Sequence, residues 1–307
     1  MLIALTSLKG SPGVTTLSVA LAAQWPSPAR RLVAECDPAG GDLALRFGLP
    51  ASPGLVSLAA AARRTDDPAT VWDHTHLLPG GTRVLPAPPG GAQARAALHA
   101  LVSNAGGPLL DQVAHDPAVV VFADCGRMDT GSPAEAIARR ADVLMLLSGA
   151  HGEDLAHVAS RLNELGRWCA RPALLLAGHG YTTAEVEREL GIPVTGRIPH
   201  DAAAAVALTG HVPPTRARGG GGLARAATGL ARVLTGTTAP VPAVLPDALV
   251  SPAGPAIPGV PPQQIRTPGV LLSPPPPRIG SRPFADQADG QSRNGHQPAL
   301  PGKDGPS

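Results

Sequence analysis

The sequence is poor in lysine, aromatic residues and cysteine. Lys9 and Lys303 are the only lysines among 25 basic residues, so a chain that otherwise uses arginine places one lysine in its first glycine-rich turn. Three tryptophans, three phenylalanines and one tyrosine are too few to fill a core, which must therefore consist of Leu, Val, Ala and Ile. The three cysteines are widely spaced without a C-x-x-C pair, which argues against a disulfide framework and a zinc site.

Long apolar runs and a strong net charge are also missing. No apolar run approaches the roughly 20 residues that a membrane-spanning helix needs. The formal net charge of +2 is too close to zero to indicate nucleic acid or an anionic membrane as a partner by itself. We therefore expect a cytoplasmic protein without a transmembrane segment.

Proline divides the chain into two parts. Of the 36 prolines, 17 lie between Pro240 and Pro306, including the run Pro274–Pro277. A segment of this composition buries too little apolar surface to offset the entropy of ordering. We predict a disordered, Pro/Gly-rich tail over residues 237–307 and one folded domain over residues 1–236, which is long enough to bury a substantial core.

Short apolar runs alternate with longer Ala/Leu-rich stretches in the first 236 residues. This alternation predicts an α/β fold with right-handed βαβ units and a doubly wound, mainly parallel sheet of about seven strands. We predict strands at Leu2–Ser7, Leu32–Cys36, Arg83–Pro86, Val119–Asp124, Val143–Ser148, Ala173–Ala177 and Val194–Ile198. The helices with the clearest pattern are Val14–Gln24, Ala92–Asn104, Asp154–Cys169, Thr183–Leu190 and Leu223–Leu234.

Three unusual loops follow predicted strands at their carboxyl ends. Their sequences are LKGSPGVTT, CDPAGGD and DCGRMD. In doubly wound sheets ligands bind beyond the carboxyl ends of the strands. The first loop also joins a strand to a helix that begins with threonine. Glycines let backbone N–H groups converge on an anion at such a helix N-terminus, and the hydroxyl can bind a magnesium ion held by phosphates.

The segment Lys9–Thr16 resembles the deviant Walker A motif, K-G-G-x-G-K-[ST], of the ParA/MinD ATPases, a class of P-loop NTPases. The resemblance implies that Lys9 reaches nucleotide phosphates across a dimer interface and that Thr15 binds Mg²⁺. It implies an ATP-binding set made of Lys9, Gly10, Ser11, Gly13, Val14, Thr15 and Thr16.

Two residues depart from that motif. Pro12 removes one N–H donor from the loop. Val14 stands where the second lysine of the motif would contact the β- and γ-phosphates. By analogy with the loss of one transition-state donor, which weakens stabilisation by roughly 3–4 kcal/mol, we expect hydrolysis to be impaired or absent.

The other two loops carry acids that extend the resemblance. Glu35-x-Asp37 resembles the acidic segment after the second strand in the MinD branch and its pilus-assembly relatives of the CpaE type. The resemblance implies that Glu35 positions the attacking water, that Asp37 lies near the metal and that Asp124 is the Walker B aspartate. The implied catalytic residues are thus Glu35, Asp37 and Asp124, and the implied magnesium ligands are Thr15, Asp37 and Asp124.

One further match and one mismatch concern the nucleotide-lining loops. Arg197-Ile198-Pro199-His200-Asp201 resembles the family's G-x-I-P-x-D stretch. The Asn-Arg pair that often reads adenine is missing, because Gly178-His179 stand at its place.

Two classes of function agree with these residues. The first is a homodimeric, Mg²⁺-dependent ATP switch that controls a protein partner in chromosome partitioning, positioning, or pilus or secretion assembly. DNA is an alternative partner, through the arginines around the last helix, Arg216, Arg218, Arg225 and Arg232. The second class is a non-enzymatic pseudo-ATPase adaptor that binds proteins through its surface and its proline-rich tail.

Overall fold

A single eight-stranded sheet organises the part of the chain that the computed structural model describes, which is residues 1–10, 12–26, 28–103, 109–169, 171–208 and 221–236. Its strands are β1 (Leu2–Ser7), β2 (Arg30–Glu35), β3 (His76–Leu77), β4 (Thr82–Leu85), β5 (Val119–Arg127), β6 (Val143–Ala150), β7 (Pro172–Gly180) and β8 (Val194–Ile198). Their order is β3-β4-β2-β5-β1-β6-β7-β8. Every neighbouring pair is parallel except β3 and β4.

Helices cover both faces of the sheet. They are α1 (Val14–Gln24), α2 (Leu43–Arg46), α3 (Leu55–Ala61), α4 (Thr70–Asp73), α5 (Gly91–Val102), α6 (Leu109–Ala114), α7 (Pro133–Ala138), α8 (Gly152–Ser160), α9 (Leu162–Trp168), α10 (Thr183–Leu190), α11 (Ala202–Ala207) and α12 (Gly222–Gly236). None of these helices combines the length and the apolar character that crossing a bilayer requires.

The core consists of two layers of aliphatic side chains separated by the sheet. All six residues of β1 are buried, and they alternate between the layers: Ile3 and Leu5 pack on one face, Leu2 and Ala4 on the other. Helices α1 and α12 cover the face of Ile3. In α12 the predicted apolar residues, Leu223, Ala227, Leu230 and Leu234, are all buried in that layer. A strand buried on both faces reads as a continuous apolar run, and this is how the sequence shows it.

Local signals set the ends of α10. The Thr182 hydroxyl accepts the Glu185 N–H at 3.2 Å, and the Glu185 carboxylate accepts the Thr182 N–H at 2.8 Å, which makes a capping box. Gly191 follows the helix at φ +67°, a left-handed conformation that ends many helices. The prediction of Thr183–Leu190 is therefore confirmed to the residue.

Most predicted elements are confirmed, and two predictions need correction. All seven predicted strands are present, but the sheet has an eighth, β3, whose two residues are too few to show a period. The predicted helix Asp154–Cys169 is wrong as one element, because the chain breaks at Arg161 between α8 and α9. Arg161 adopts φ −120° there, and its side chain reaches a neighbouring loop. The predicted disordered tail, residues 237–307, lies outside the described residues and stays a prediction.

Candidate functional site

The three unusual loops meet at one edge of the sheet because β2, β5 and β1 are neighbours in it. Asp124 of β5 is paired in register with Leu5 of β1 on one side and with Glu35 of β2 on the other. The sheet order therefore brings the acidic segments beside the glycine-rich turn. Sequence alone predicted three such loops, and the order of the strands makes them one site.

The turn between β1 and α1 depends on two glycines with left-handed backbones. Gly10 has φ +67° and Gly13 has φ +100°, backbone angles that residues other than glycine rarely adopt. The Gly13 carbonyl accepts the Leu17 N–H at 2.8 Å, which starts α1. Lys9 is exposed at the start of the turn. Ser11 lies outside the described residues, so its predicted role stays a prediction.

Val14 belongs to the core at the position where the motif has its second lysine. Its side chain is 6% exposed and joins the apolar layer that holds Leu17 and Leu5. The following Thr15 and Thr16 are half-buried on the first turn of α1. The valine is therefore integrated into the packing of α1 on the sheet.

Asp124 of β5 lies near Thr15, which begins the first turn of α1 with Val14. The Asp124 side chain is 1% exposed, and its Oδ1 accepts the Gly126 N–H at 3.1 Å. Thr15 lies near enough to favour the charged form of this acid. Burial raises the pKa of Asp124 to about 6, although the neighbouring Thr15 and the Gly126 N–H both favour the charged form. This carboxylate lacks the compensation that a buried charge needs.

Asp37 lies directly over Gly126. A side chain on Gly126 would overlap the Asp37 carboxylate, and Gly126 also has φ +56°. The Asp37 Oδ1 accepts the Ala39 N–H at 2.7 Å, and desolvation raises the pKa of this acid. Gly126 was not among the residues predicted from the sequence. The sequence shows only that a glycine stands two residues after Asp124, the acid that follows an apolar run.

Glu35 anchors the surrounding loops through backbone hydrogen bonds. Its Oε1 accepts the N–H groups of Asp42 at 2.7 Å and Leu43 at 2.8 Å. Its Oε2 accepts the Ala87 N–H at 2.9 Å. Burial outweighs these three bonds and raises the pKa of Glu35 to about 7. Both oxygens are thus engaged by the protein itself, and the expected positioning of water stays a prediction.

Comparisons with known proteins agree on the fold. No protein-family model matches the chain, and no curated protein matches it. Among solved structures, a ParA family ATPase from Chlorobium tepidum has a TM-score of 0.60 and 18% identity, with 75% of this chain and 98% of that chain covered. The cell division ATPase MinD of Pyrococcus furiosus has a TM-score of 0.60 and 18% identity, covering 76% and 98%. An ATP complex of Cyanothece McdA has a TM-score of 0.57 and 16% identity, covering 78% and 98%.

The chain has the ParA/MinD fold. Within this fold the acids of the family-like segments lie in different surroundings. The structure brings Thr15, Asp37 and Asp124 to one edge of the sheet beside Gly13. Asp201 instead has a structural task, because its carboxylate accepts the N–H groups of Ala204 at 3.0 Å and Leu223 at 3.3 Å and so joins α11 to α12.

Gly178 stands at the place of the missing adenine-reading asparagine, and an arginine holds its loop. The Arg197 guanidinium donates to the carbonyl of Gly178 at 2.6 Å and to that of Tyr181. This arginine is part of the stretch that resembles G-x-I-P-x-D. Its side chain therefore holds the end of β7 and the residue after it through hydrogen bonds to backbone carbonyls.

Arg161 clamps the loop that follows β5. It donates to the Met128 carbonyl at 3.1 Å, to the Thr130 hydroxyl at 3.1 Å and to the Glu164 carboxylate at 2.9 Å. Its guanidinium also lies 4.9 Å from the ring centroid of Trp168. The break between α8 and α9 therefore serves to place this side chain.

Replacing Arg161 with alanine is expected to loosen residues 128–132 and to lower the free energy of unfolding by about 2 kcal/mol, since a hydrogen bond to a charged group contributes roughly 1.5–3 kcal/mol. Hydrogen exchange of the loop and urea unfolding measure the two effects. Arg167→Ala, at an exposed arginine of α9, is the matched control. Unchanged exchange in residues 128–132 would contradict the clamp.

The stability of the metal-free protein is expected to fall as pH rises from 5 to 7. Glu35 and Asp124 have folded-state pKa values raised to about 7 and about 6. The folded protein therefore keeps protons that the unfolded chain has already released, and each unit of pKa shift corresponds to about 1.4 kcal/mol. Urea unfolding across this range measures the slope. Glu35→Gln should remove much of it, and a flat profile for the unsubstituted protein would refute the prediction.

Proposed function

We propose that this chain is a Mg²⁺-dependent nucleotide-binding switch of the ParA/MinD type, with impaired or absent ATP hydrolysis. The observation that carries the proposal is the position of the buried Asp124 carboxyl, which lies at the carboxyl end of the sheet next to β1 and its glycine turn, near Thr15. A helix N-terminus, a hydroxyl and a desolvated acid meet there. These are the groups that hold a metal-bound polyphosphate.

The metal half of the site fits magnesium. Thr15, Asp37 and Asp124 offer only oxygen donors, which Mg²⁺ prefers. A divalent cation would also offset the desolvation that raises the pKa of Asp124. When bound, Mg²⁺ neutralises charge on the β- and γ-phosphates. The protein's part is to orient the hydroxyl and the two carboxylates toward that cation.

The glycine turn offers fewer phosphate-binding groups than the motif that it resembles. Gly10 and Gly13 shape the turn, and Lys9 is free to extend from it because it is exposed. Pro12 offers no N–H, and Val14 faces the core. Such a turn favours binding over turnover, because it offers one lysine where the motif has two to stabilise the charge that develops during phosphoryl transfer.

We further propose that the switch is a homodimer that acts on a protein partner in positioning, chromosome partitioning, or pilus or secretion assembly. Solved structures of the same fold include MinD with Mg-ADP from Pyrococcus horikoshii and a MinC:MinD complex from Aquifex aeolicus. The deviant Walker A motif and the placement in the CpaE/MinD-like branch rest on the sequence of Lys9–Thr16 and Glu35–Leu43. Arg216 and Arg218 lie outside the described residues, so DNA binding stays an alternative.

A second candidate function is the pseudo-ATPase adaptor. The burial of Val14 favours it, and so does the loop at Gly178. Under this alternative the domain presents a surface to partner proteins without nucleotide control.

Calorimetric titration with Mg-ATP, combined with a phosphate-release assay, separates the two functions. The chain, Lys9→Ala and Val14→Lys are compared. We expect binding to the unsubstituted protein with little phosphate release, weaker binding for Lys9→Ala, and hydrolysis in Val14→Lys. Absence of binding heat for all three proteins would reject the switch and support the adaptor.

A further inference from the structure

The candidate site carries more negative than positive charge at its centre. Glu35, Asp37, Asp42 and Asp124 lie around the edge formed by β2 and β5, and the glycine turn contributes one lysine, Lys9. A nucleoside triphosphate would add several negative charges to this surface. Even with Mg²⁺ bound, a further cation is needed where the motif's second lysine is replaced by Val14.

Arg46 is the first cation that the structure places at this edge. It ends α2, which follows the acidic loop after β2. Its guanidinium approaches the Asp42 carboxylate at 3.4 Å, with the two side chains 33% and 67% exposed. The Asp42 N–H donates to Glu35, which is paired in register with Asp124. Arg46 is therefore held, through Asp42 and Glu35, at the edge of the sheet that also carries Asp124.

Arg127 is the second cation. It ends β5 and is paired in register with Ser7, two residues before Lys9. The next amide, that of Met128, donates to the Ser7 carbonyl at 2.9 Å. The guanidinium lies 3.7 Å from the Asp129 carboxylate, and these side chains are 62% and 65% exposed. The residue before Arg127, Gly126, lies directly under the Asp37 carboxylate.

Both arginines have weak present partners. Exposed ion pairs at these distances contribute about 0–1 kcal/mol, so an arriving phosphate can displace the carboxylates. A guanidinium also offers paired N–H donors that match phosphate oxygens. Arg161 differs from them, because its side chain is committed to the clamp on the loop after β5.

We propose that Arg46 and Arg127 together replace the missing motif lysine as the cations that bind the β- and γ-phosphates of a nucleoside triphosphate. The inference rests on the proposed nucleotide switch and adds the residues that allow it to work with Val14. The cations come from the loops after β2 and β5 instead of from the glycine turn. The site thus keeps its affinity for triphosphate, although Val14, the residue after Gly13, packs in the core.

Equilibrium titration with Mg-ATP and with AMP tests the replacement. The proteins are the full chain, Arg46→Ala, Arg127→Ala, the double variant, and the double variant carrying Val14→Lys. Each single change is expected to weaken Mg-ATP binding roughly tenfold and the double change roughly a hundredfold, since each removes a charge-assisted contact. AMP binding should change little, because AMP lacks the β- and γ-phosphates. Val14→Lys should recover at least tenfold in the double variant.

Arg188→Ala, at an exposed arginine of α10, is the matched control for the loss of one positive charge. Circular dichroism and thermal unfolding confirm that each variant is folded. If the full chain does not bind Mg-ATP, the proposed function itself fails. If it binds and the double variant binds equally well, the replacement is overturned while the switch stands. Equal weakening in Arg188→Ala also overturns it, whereas recovery with Val14→Lys supports it.

Discussion

Replacing Glu35 with alanine is expected to lower the free energy of unfolding by about 3 kcal/mol or more. The change leaves three backbone N–H groups without an acceptor, and each unsatisfied buried donor is unfavourable by roughly 1–3 kcal/mol. Leu43 and Ala87, which supply two of these donors, are 0% and 2% exposed, so water cannot replace the carboxylate there. Urea unfolding at pH 7 measures the loss.

Two controls distinguish the anchoring role of Glu35 from a general effect of charge. Glu35→Gln keeps one acceptor oxygen and should lose less than half as much stability as the alanine variant. Glu153→Ala removes an exposed glutamate from the first turn of α8 and should change stability little. Stability equal to that of the unsubstituted protein in Glu35→Ala would mean that the loops hold their conformation without this carboxylate.

Asp124→Asn is expected to have opposite effects on the metal-free and the Mg-ATP-bound protein. Without metal, the change removes a desolvated carboxylate whose pKa is raised from 3.8 to about 6, so stability at pH 8 should rise by about 1–3 kcal/mol. With Mg-ATP, one predicted metal ligand is lost, and the stabilisation by ligand should almost disappear. Thermal unfolding with and without Mg-ATP measures both effects.

Asp66→Asn serves as the control for Asp124→Asn, since Asp66 is exposed and away from the three loops. Thr15→Val tests the second member of the pair and should reduce the shift caused by Mg-ATP without raising metal-free stability. A shift of the same size in Asp124→Asn and in the unsubstituted protein would show that this carboxylate does not bind the metal.

The elements that sequence predicted well are those with a strong local pattern. The strand β1 begins with four consecutive apolar residues, and α10 carries its own capping box and terminal glycine. Where the pattern is short or interrupted, prediction failed. The strand β3 has two residues, and the stretch of α8 and α9 reads as one helix because the reason for its break, Arg161, acts through contacts about 30 residues away in the sequence.

The candidate site shows the same division. Glycine turns, acids at strand ends and a threonine at a helix start are local features, so they could be recognised in the printed sequence. The role of Gly126 could not, because it depends on the Asp37 carboxylate that lies over it. The same holds for Glu35, whose three donors come from two different loops.

The sequence by itself determined the α/β alternation, the position of the turn Lys9–Thr16 and the presence of acids after two strands. It did so because periodicity and glycine conformation are properties of neighbouring residues. Only the tertiary structure decided that β5 lies between β2 and β1, that Asp124 lies near Thr15, and that Arg46 and Arg127 belong to loops at the same edge of the sheet. Those facts depend on the order of strands in the sheet and on long-range packing, which no local pattern encodes.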